Sequence, residues 1–521
     1  MADQAGKVAD KTEAPDIETA APVRAMSINQ GEVKNLVSSD YDEYLGLQEV
    51  FQGERLEKLT RKIDIRILPQ LILLYLLCYI DRSNAGNVKL FGALDDLKLS
   101  GQDWNTAMCV FFATYSLGGV PSNIALKRLG PNLWLPILLT VCGLLDVFHG
   151  LLNNMAGLVS LRLLLGLVEA GVYPGCSYVL TSWYAPEEVH RRMTVFYSGA
   201  SLATAFSGLL AYAIGHLDHT WGYRGWRFIY VIEGLLSICV GLIYFFVLCP
   251  SPEKASGWLT EEEKRFLVLR NRFARIGNSG VGEDEKFSWK HARESFRSFH
   301  VYSVGIIEFT VCVVVYGISF VLPTVISLLG YSALKAQAMT APPYVFACVA
   351  VFFSGWAADR YQKRMLAQVI PNIVACVGLV IIIASVRYSS VPGVTYLGIF
   401  FMAAGLQCLS PATMAWIALN QAGDMKRGVS MAIMVSIGQL GGIVGSNIFL
   451  AREAPVYSIG FGICLGMLVV IGVIWPVIYW AILKRINAQR DRLSIEEIAA
   501  AYTEEDLADM GDRSPLFRYA T

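Results

Sequence analysis

The chain has 521 residues and no net charge; 54% of it is hydrophobic and only 17% is charged. Soluble globular chains carry about 25% charged residues, so the deficit argues against a solvated globular surface. The neutral balance offers nothing to a nucleic acid.

In chain order, residues 1–40 are polar, and no apolar segment follows the initiator. A cleaved signal peptide is not expected, and residues 1–60 read as a cytosolic tail. Twelve apolar runs follow, each near the length that crosses a bilayer core. Six lie near 66–90, 104–126, 132–152, 157–183, 192–215 and 226–248, and six near 301–329, 336–358, 366–386, 393–420, 428–450 and 457–483. Lipid cannot satisfy backbone polar groups, so each run is a helix. The expected fold is therefore an all-α membrane protein with twelve transmembrane helices. They form two six-helix bundles, residues 61–248 and 300–485, with a polar loop at 249–299 between them and a tail at 486–521.

Basic residues in short loops set the orientation. Lys127, Arg128, Arg191, Arg192, Arg360, Lys363, Arg364, Lys426 and Arg427 fall on one side, with the central loop and the basic start of the C-terminal tail. Both termini are expected to be cytosolic. In the central loop, Thr260 and Glu263 form a capping box ahead of a partial apolar stripe at Leu267, Leu269 and Phe273, the pattern of a short amphipathic helix.

The eleven cysteines give no framework: ten sit inside apolar runs, Cys249 sits at the edge of one, and no CxxC occurs. They read as small hydrophobes, and neither a metal site nor a cofactor is expected. A weak internal repeat is visible. GWAADRYQKR at Gly355–Arg364 follows the eighth span, and NIALKRLGP at Asn123–Pro131 follows the second. The first of these, with Gly355, Asp359, Arg360 and Arg364, resembles the loop signature of the major facilitator superfamily, which implies a gating loop there. The N-terminal copy departs from it, with Asn123 at the Gly position and Lys127 at the Asp position.

Charges within spans are expensive and mark candidate function. In the first span Tyr75, Tyr79 and Arg82 share one helix face, and Asp81 lies about 100° around the axis, with Asn84 three residues on as a partner. A guanidinium matches a carboxylate in a bidentate way, so Arg82 reads either as an anion ligand or as half of a solvated pair near the external interface. In the fourth span Arg162 and Glu169 lie on one face, about 10 Å apart along the axis. Ala170, Gly171 and Pro174 follow Glu169 and permit close approach and bending. This pair reads either as a proton-coupling site or as a permanent brace of the bundle.

YIDRSN in the first span and RxxxGxxEAGxxP in the fourth resemble the anion:cation symporter family. The stretch Phe320–Tyr344 is similar to its fungal allantoate, nicotinate and pantothenate permease branch. The resemblance implies proton carriers at Asp81 and Glu169, an anion site at Arg82, and gating or relay at Arg162. It also implies cavity tyrosines at Tyr79 and Tyr115, and a polar contact at Gln439 where many relatives carry Asn.

Other polar residues in spans are open to either reading. Gln407 and Ser410 suit substrate contact or core packing, with Pro411 as a kink; Glu308 and Tyr316 are equally balanced. Glu233 is expected to pair with an interfacial arginine, and Asp146 with His149 as a structural pair. The glycine rows at 198–208 and 438–445 suit close packing between the halves. No nucleotide-binding GxxxxGK[ST] occurs, and no histidine or nucleophile cluster suits an enzyme. The expected function is proton-coupled symport of a small organic anion across the plasma membrane, with only anion, proton and bilayer as partners. An exporter of apolar drugs and a nutrient sensor with a carrier fold are the alternatives.

Overall fold

The computed structural model describes residues 33–218, 220–249, 251–255, 257–279, 289–386, 392–422, 424–450, 453, 456–493, 497, 498, 501, 502 and 510–521. Residues 1–32 of the N-terminal tail, the middle of the central loop and the Asp359 side chain lie outside the described residues. Twelve helical spans are long and apolar enough to cross a membrane. In the first half, span 1 is Glu54–Lys89, span 2 Gly101–Leu126, span 3 Pro131–His149, span 4 Met155–Trp183, span 5 Arg191–Leu217 and span 6 Gly225–Val247. In the second, span 7 is Phe299–Ser327, span 8 Lys335–Ala358, span 9 Arg364–Ser385, span 10 Pro392–Leu419, span 11 Lys426–Ile448 and span 12 Ser458–Arg490. Each coincides with an apolar run read from the sequence.

The halves meet where span 2 packs on span 11, span 5 on span 8 and span 1 on span 7. Spans 8 and 11 are the counterparts of 2 and 5 in the other half, so the first two contacts are one contact made twice. Small residues allow them. A Cβ on Gly208 of span 5 would stand 2.3 Å from the Thr340 hydroxyl, and one on Gly355 of span 8 would stand 2.5 Å from a Thr194 methyl. The row at 438–445 is only partly what the sequence suggested. Gly442 faces Phe112 across the halves, whereas Gly441 and Gly445 press on the Phe309 and Val313 carbonyls of span 7, within their own half.

Spans 4 and 10 are broken, and proline explains both breaks. A proline at position i removes the N–H that would bond the carbonyl of residue i−4. Pro174 thereby orphans Ala170, and span 4 divides into Met155–Glu169 and Val172–Trp183. Pro411 orphans Gln407, and span 10 divides into Pro392–Gln407 and Leu409–Leu419. At the first break Gly171 is obligatory, because a Cβ would lie 1.8 Å from the Ser122 hydroxyl. Broken helices in corresponding positions of two halves line substrate sites in transporters, and here both breaks sit at the depth of the central cavity described below.

An even number of spans among the described residues puts residues 33–53 and 510–521 at one end. There a helix spanning Glu261–Ser279 docks on the first half, through Asn271 to the Ser182 carbonyl (2.7 Å) and Arg270 to Glu188 (2.8 Å). The Thr260–Glu263 capping box forms at its start. Arg265 bonds Glu43 of the preceding helix Val33–Val50 and holds that carboxyl below its usual range. Both partners are largely exposed, so the contact orients more than it stabilises.

Residues 510–521, read from the sequence as part of a tail, are packed against the second half. The Thr521 carbonyl accepts from the Arg364 N–H, the Ala520 carbonyl from the Trp416 indole, and Tyr519 is gripped by Asn487 through both its backbone groups. Asp512 forms a buried ion pair with Lys426. Removing one member of such a pair leaves the other charge buried and costs about 3–5 kcal/mol. Asp512→Ala is therefore expected to lower the melting temperature of the detergent-solubilised protein markedly, with Asp491→Ala, which breaks an exposed pair to Arg518, as the near-neutral comparison.

Candidate functional site

Midway along the spans, a small cavity of about 30 Å³ lies between the two halves. The halves touch on both sides of it. Towards the termini, Ser116 bonds the Ser436 carbonyl (2.8 Å) and Gly355 meets Thr194. Towards the opposite end, Asn447 bonds Cys109 (3.0 Å) and Gly208 meets Thr340.

Arg82 reaches the cavity from span 1. One guanidinium nitrogen pairs with Glu169 at 2.7 Å, and the other donates to the Tyr316 hydroxyl at 2.8 Å. Tyr316 in turn donates to Gln439 at 3.0 Å. The guanidinium lies 4.6 Å from the Tyr115 ring centroid and 5.5 Å from that of Tyr79, close enough for cation–π attraction. Arg82 and Glu169 are both buried, and the remaining edge of each, Nε and Oε2, has no hydrogen-bond partner. A buried charge so incompletely satisfied is costly.

Beside it, Arg162 pairs with Asp81 at 2.7 Å and donates to the Tyr230 hydroxyl at 2.7 Å. The four charges are thus crossed between spans 1 and 4: Asp81 with Arg162 and Arg82 with Glu169. Arg162 and Glu169 do not pair with each other along span 4. Asp81 does not pair with Asn84 either. Asn84 bonds Glu233 and Ser207, and Ser207 bonds Asn87. The expected arginine partner of Glu233 is likewise displaced. Glu233 lies six residues, about 9 Å along the helix, deeper than Arg227, which binds Asp96 instead. His149 turns to its own helix and bonds the Leu145 carbonyl at 2.9 Å rather than Asp146, while its ring stacks on Tyr230.

Of the residues singled out in the sequence, Tyr75, Tyr79, Arg82, Tyr115, Glu308, Tyr316 and Gln439 line the cavity. Glu169 touches it through Arg82. Asp81 and Arg162 lie one layer behind. Gln407 is buried at the break of span 10 and does not line the cavity; Ser410, three residues on, does. In the loop after span 8, Arg360 is exposed and Arg364 is buried, bonded to Gln362 at 3.1 Å. Tyr173 and Tyr197 also line the cavity and were not singled out. Tyr173 had a signal, four residues beyond Glu169 on its face; Tyr197 had none beyond being a tyrosine in an apolar run.

The family model of the Major Facilitator Superfamily matches residues 71–446 and 304–500. The chain belongs to this superfamily. It is 40% identical to the MFS-type transporter cnsO of Penicillium expansum over 92% of this chain and 94% of that one. It is 29% identical to the high-affinity nicotinic acid transporter of Saccharomyces cerevisiae, over 89% and 84%. Among solved structures, the proton:xylose symporter XylE superposes with a TM-score of 0.60 at 18% identity, over 81% of this chain and 95% of that one. A bacterial homologue of the lysosomal transporter Spinster gives 0.57 at 18%, over 80% and 96%. These two likenesses carry the fold. As a member of the Major Facilitator Superfamily, the chain is an integral membrane transporter.

Proposed function

We propose that the chain carries a small organic anion together with protons, by alternating access, as a symporter of the anion:cation type. The observation that carries this reading is the Arg82–Glu169 pair at the wall of the cavity. Protonation of Glu169 cancels its charge and leaves the Arg82 guanidinium without a counter-ion. A buried cation then needs another anion, and a substrate carboxylate supplies it. When anion and proton have left on the other side, Glu169 re-pairs with Arg82 and the site resets. The reading also assigns Asp81, held by Arg162, as a second proton carrier behind the cavity. It gives Tyr79, Tyr115 and Gln439 the task of orienting the substrate.

Three features support it. Arg82 places a cation at the cavity, its pair with Glu169 is desolvated so that one proton changes its balance, and a relative is named for the transport of an acid. On this reading the loop carrying Gly355, Asp359, Arg360 and Arg364 gates the cytosolic end. Both termini are cytosolic, and the plasma membrane is the site of uptake.

The test is uptake by purified protein in proteoliposomes, over a panel of small carboxylates and their amides, with and without an acid-outside gradient. Uptake of an acid but not its amide, stimulated by the gradient, is the expected result. Gradient-driven movement of neutral or cationic apolar compounds in place of acids would overturn the reading in favour of a drug exporter.

A further inference from the structure

The cavity has a second charged pole that anion symport leaves unused. Glu308 of span 7 lines it and is buried, with the hydroxyls of Ser410 and Thr413 on its two oxygens at 2.7 and 2.5 Å. Among the described residues no lysine, arginine or histidine pairs with it. Asp81 and Glu169 each have an arginine, whereas Asp146, Glu233 and Glu308 have none among the described residues, and of these three only Glu308 lines the cavity, in a region where an uncompensated charge is expensive.

Three tyrosines stand at this end of the cavity. The ring centroid of Tyr75 is 5.4 Å from that of Tyr173 and 6.1 Å from that of Tyr197, and Tyr173 and Tyr197 are 6.0 Å apart, edge to face. All three line the cavity with Glu308. Aromatic rings around a space, with a carboxylate beside them, are the chemistry that takes an ammonium or quaternary nitrogen. The same cavity is lined by Arg82 with Tyr79 and Tyr115, the chemistry that takes a carboxylate.

We propose that the substrate is a zwitterion, its carboxylate on Arg82 and its cationic nitrogen against Glu308 within the rings of Tyr75, Tyr173 and Tyr197. This rests on the anion reading of Arg82 given above. Glu308 precedes Tyr316, the hydrogen-bond partner of Arg82, by eight residues, which is about 12 Å of helix. This offset along span 7 is the ground for proposing an ω-amino or ω-trimethylammonio acid rather than an α-amino acid.

The experiment is binding to the purified wild-type protein, read by thermal shift and by isothermal titration. The probes are ω-amino acids of graded chain length, their N-trimethyl derivatives, straight-chain monocarboxylates of matched length, and the matching amino amides. Zwitterions are expected to bind about tenfold or more tightly than monocarboxylates of the same length. In Glu308→Gln that preference should shrink to within about twofold while monocarboxylate binding persists. Monocarboxylates binding as tightly as zwitterions to the wild type, or Glu308→Gln retaining the preference, would overturn the proposal and leave Glu308 as a proton site or a brace. Amino amides binding as well as zwitterions would instead overturn the Arg82 reading, so the two failures are distinguishable. The wild-type comparison needs no variant and decides the matter even if Glu308→Gln folds poorly.

Discussion

Replacing Glu169 by Gln is expected to leave exchange of substrate across the membrane running while abolishing accumulation against a gradient. The amide keeps an oxygen where the Glu169 Oε1 now accepts from Arg82 at 2.7 Å, so the geometry of the pair survives. What it loses is the ability to switch between a charged and an uncharged partner, the step that ties a proton to release of Arg82. In proteoliposomes the signature is labelled substrate that equilibrates but never concentrates, with no response to an acid-outside gradient. A Glu169→Gln protein that still accumulates substrate would sink the coupling mechanism. Glu169→Ala is the poorer choice, since it leaves a buried guanidinium unpaired at a cost of about 3–5 kcal/mol and confounds transport with stability.

Arg82→Ala is expected to remove high-affinity binding of the acid. The guanidinium makes two short contacts at once, 2.7 Å to Glu169 and 2.8 Å to Tyr316, while lying against the Tyr115 ring. Charged hydrogen bonds of this kind contribute about 1.5–3 kcal/mol each, so losing a bidentate contact to a carboxylate weakens binding by a factor on the order of a hundred. Arg82→Lys retains the charge and loses the planar fork; its affinity should fall between wild type and Arg82→Ala. Titration of an acid and its amide against the three proteins reads this out, because the amide should be nearly indifferent to the residue at 82. Equal affinity of wild type and Arg82→Ala for the acid would remove the anion from Arg82.

The two predictions bear on different parts of one device. Arg82 decides what binds, and Glu169 decides whether binding is tied to a proton. A protein that fails only the first test is a carrier of something other than an acid. One that fails only the second is a facilitator.

The sequence by itself determined the twelve spans, because a run of about 20 apolar residues has one stable solution in lipid. It also determined which helix faces are polar. Tyr75, Tyr79 and Arg82 fall together because an α-helix repeats every 3.6 residues, and all three line the cavity. The breaks in spans 4 and 10 were legible at Pro174 and Pro411, where the missing N–H is a local fact about a single residue.

Only the tertiary structure decided how the charges pair. Spacing offered Asp81 with Asn84 and Asp146 with His149, the neighbours that a helix brings together within one turn. The folded chain instead joins residues 81 apart at Asp81–Arg162 and 234 apart at Arg82–Tyr316. Helical periodicity fixes the depth and face of a side chain, but not which neighbouring helix that face meets. The choice of neighbour is made by close approach at residues such as Gly171 and Gly355, whose meaning appears only once a second helix is laid against them. For the same reason Glu308 was indistinguishable in the sequence from a core carboxylate. Its place in the cavity with Arg82 exists only because spans 1 and 7, from different halves of the chain, pack together there.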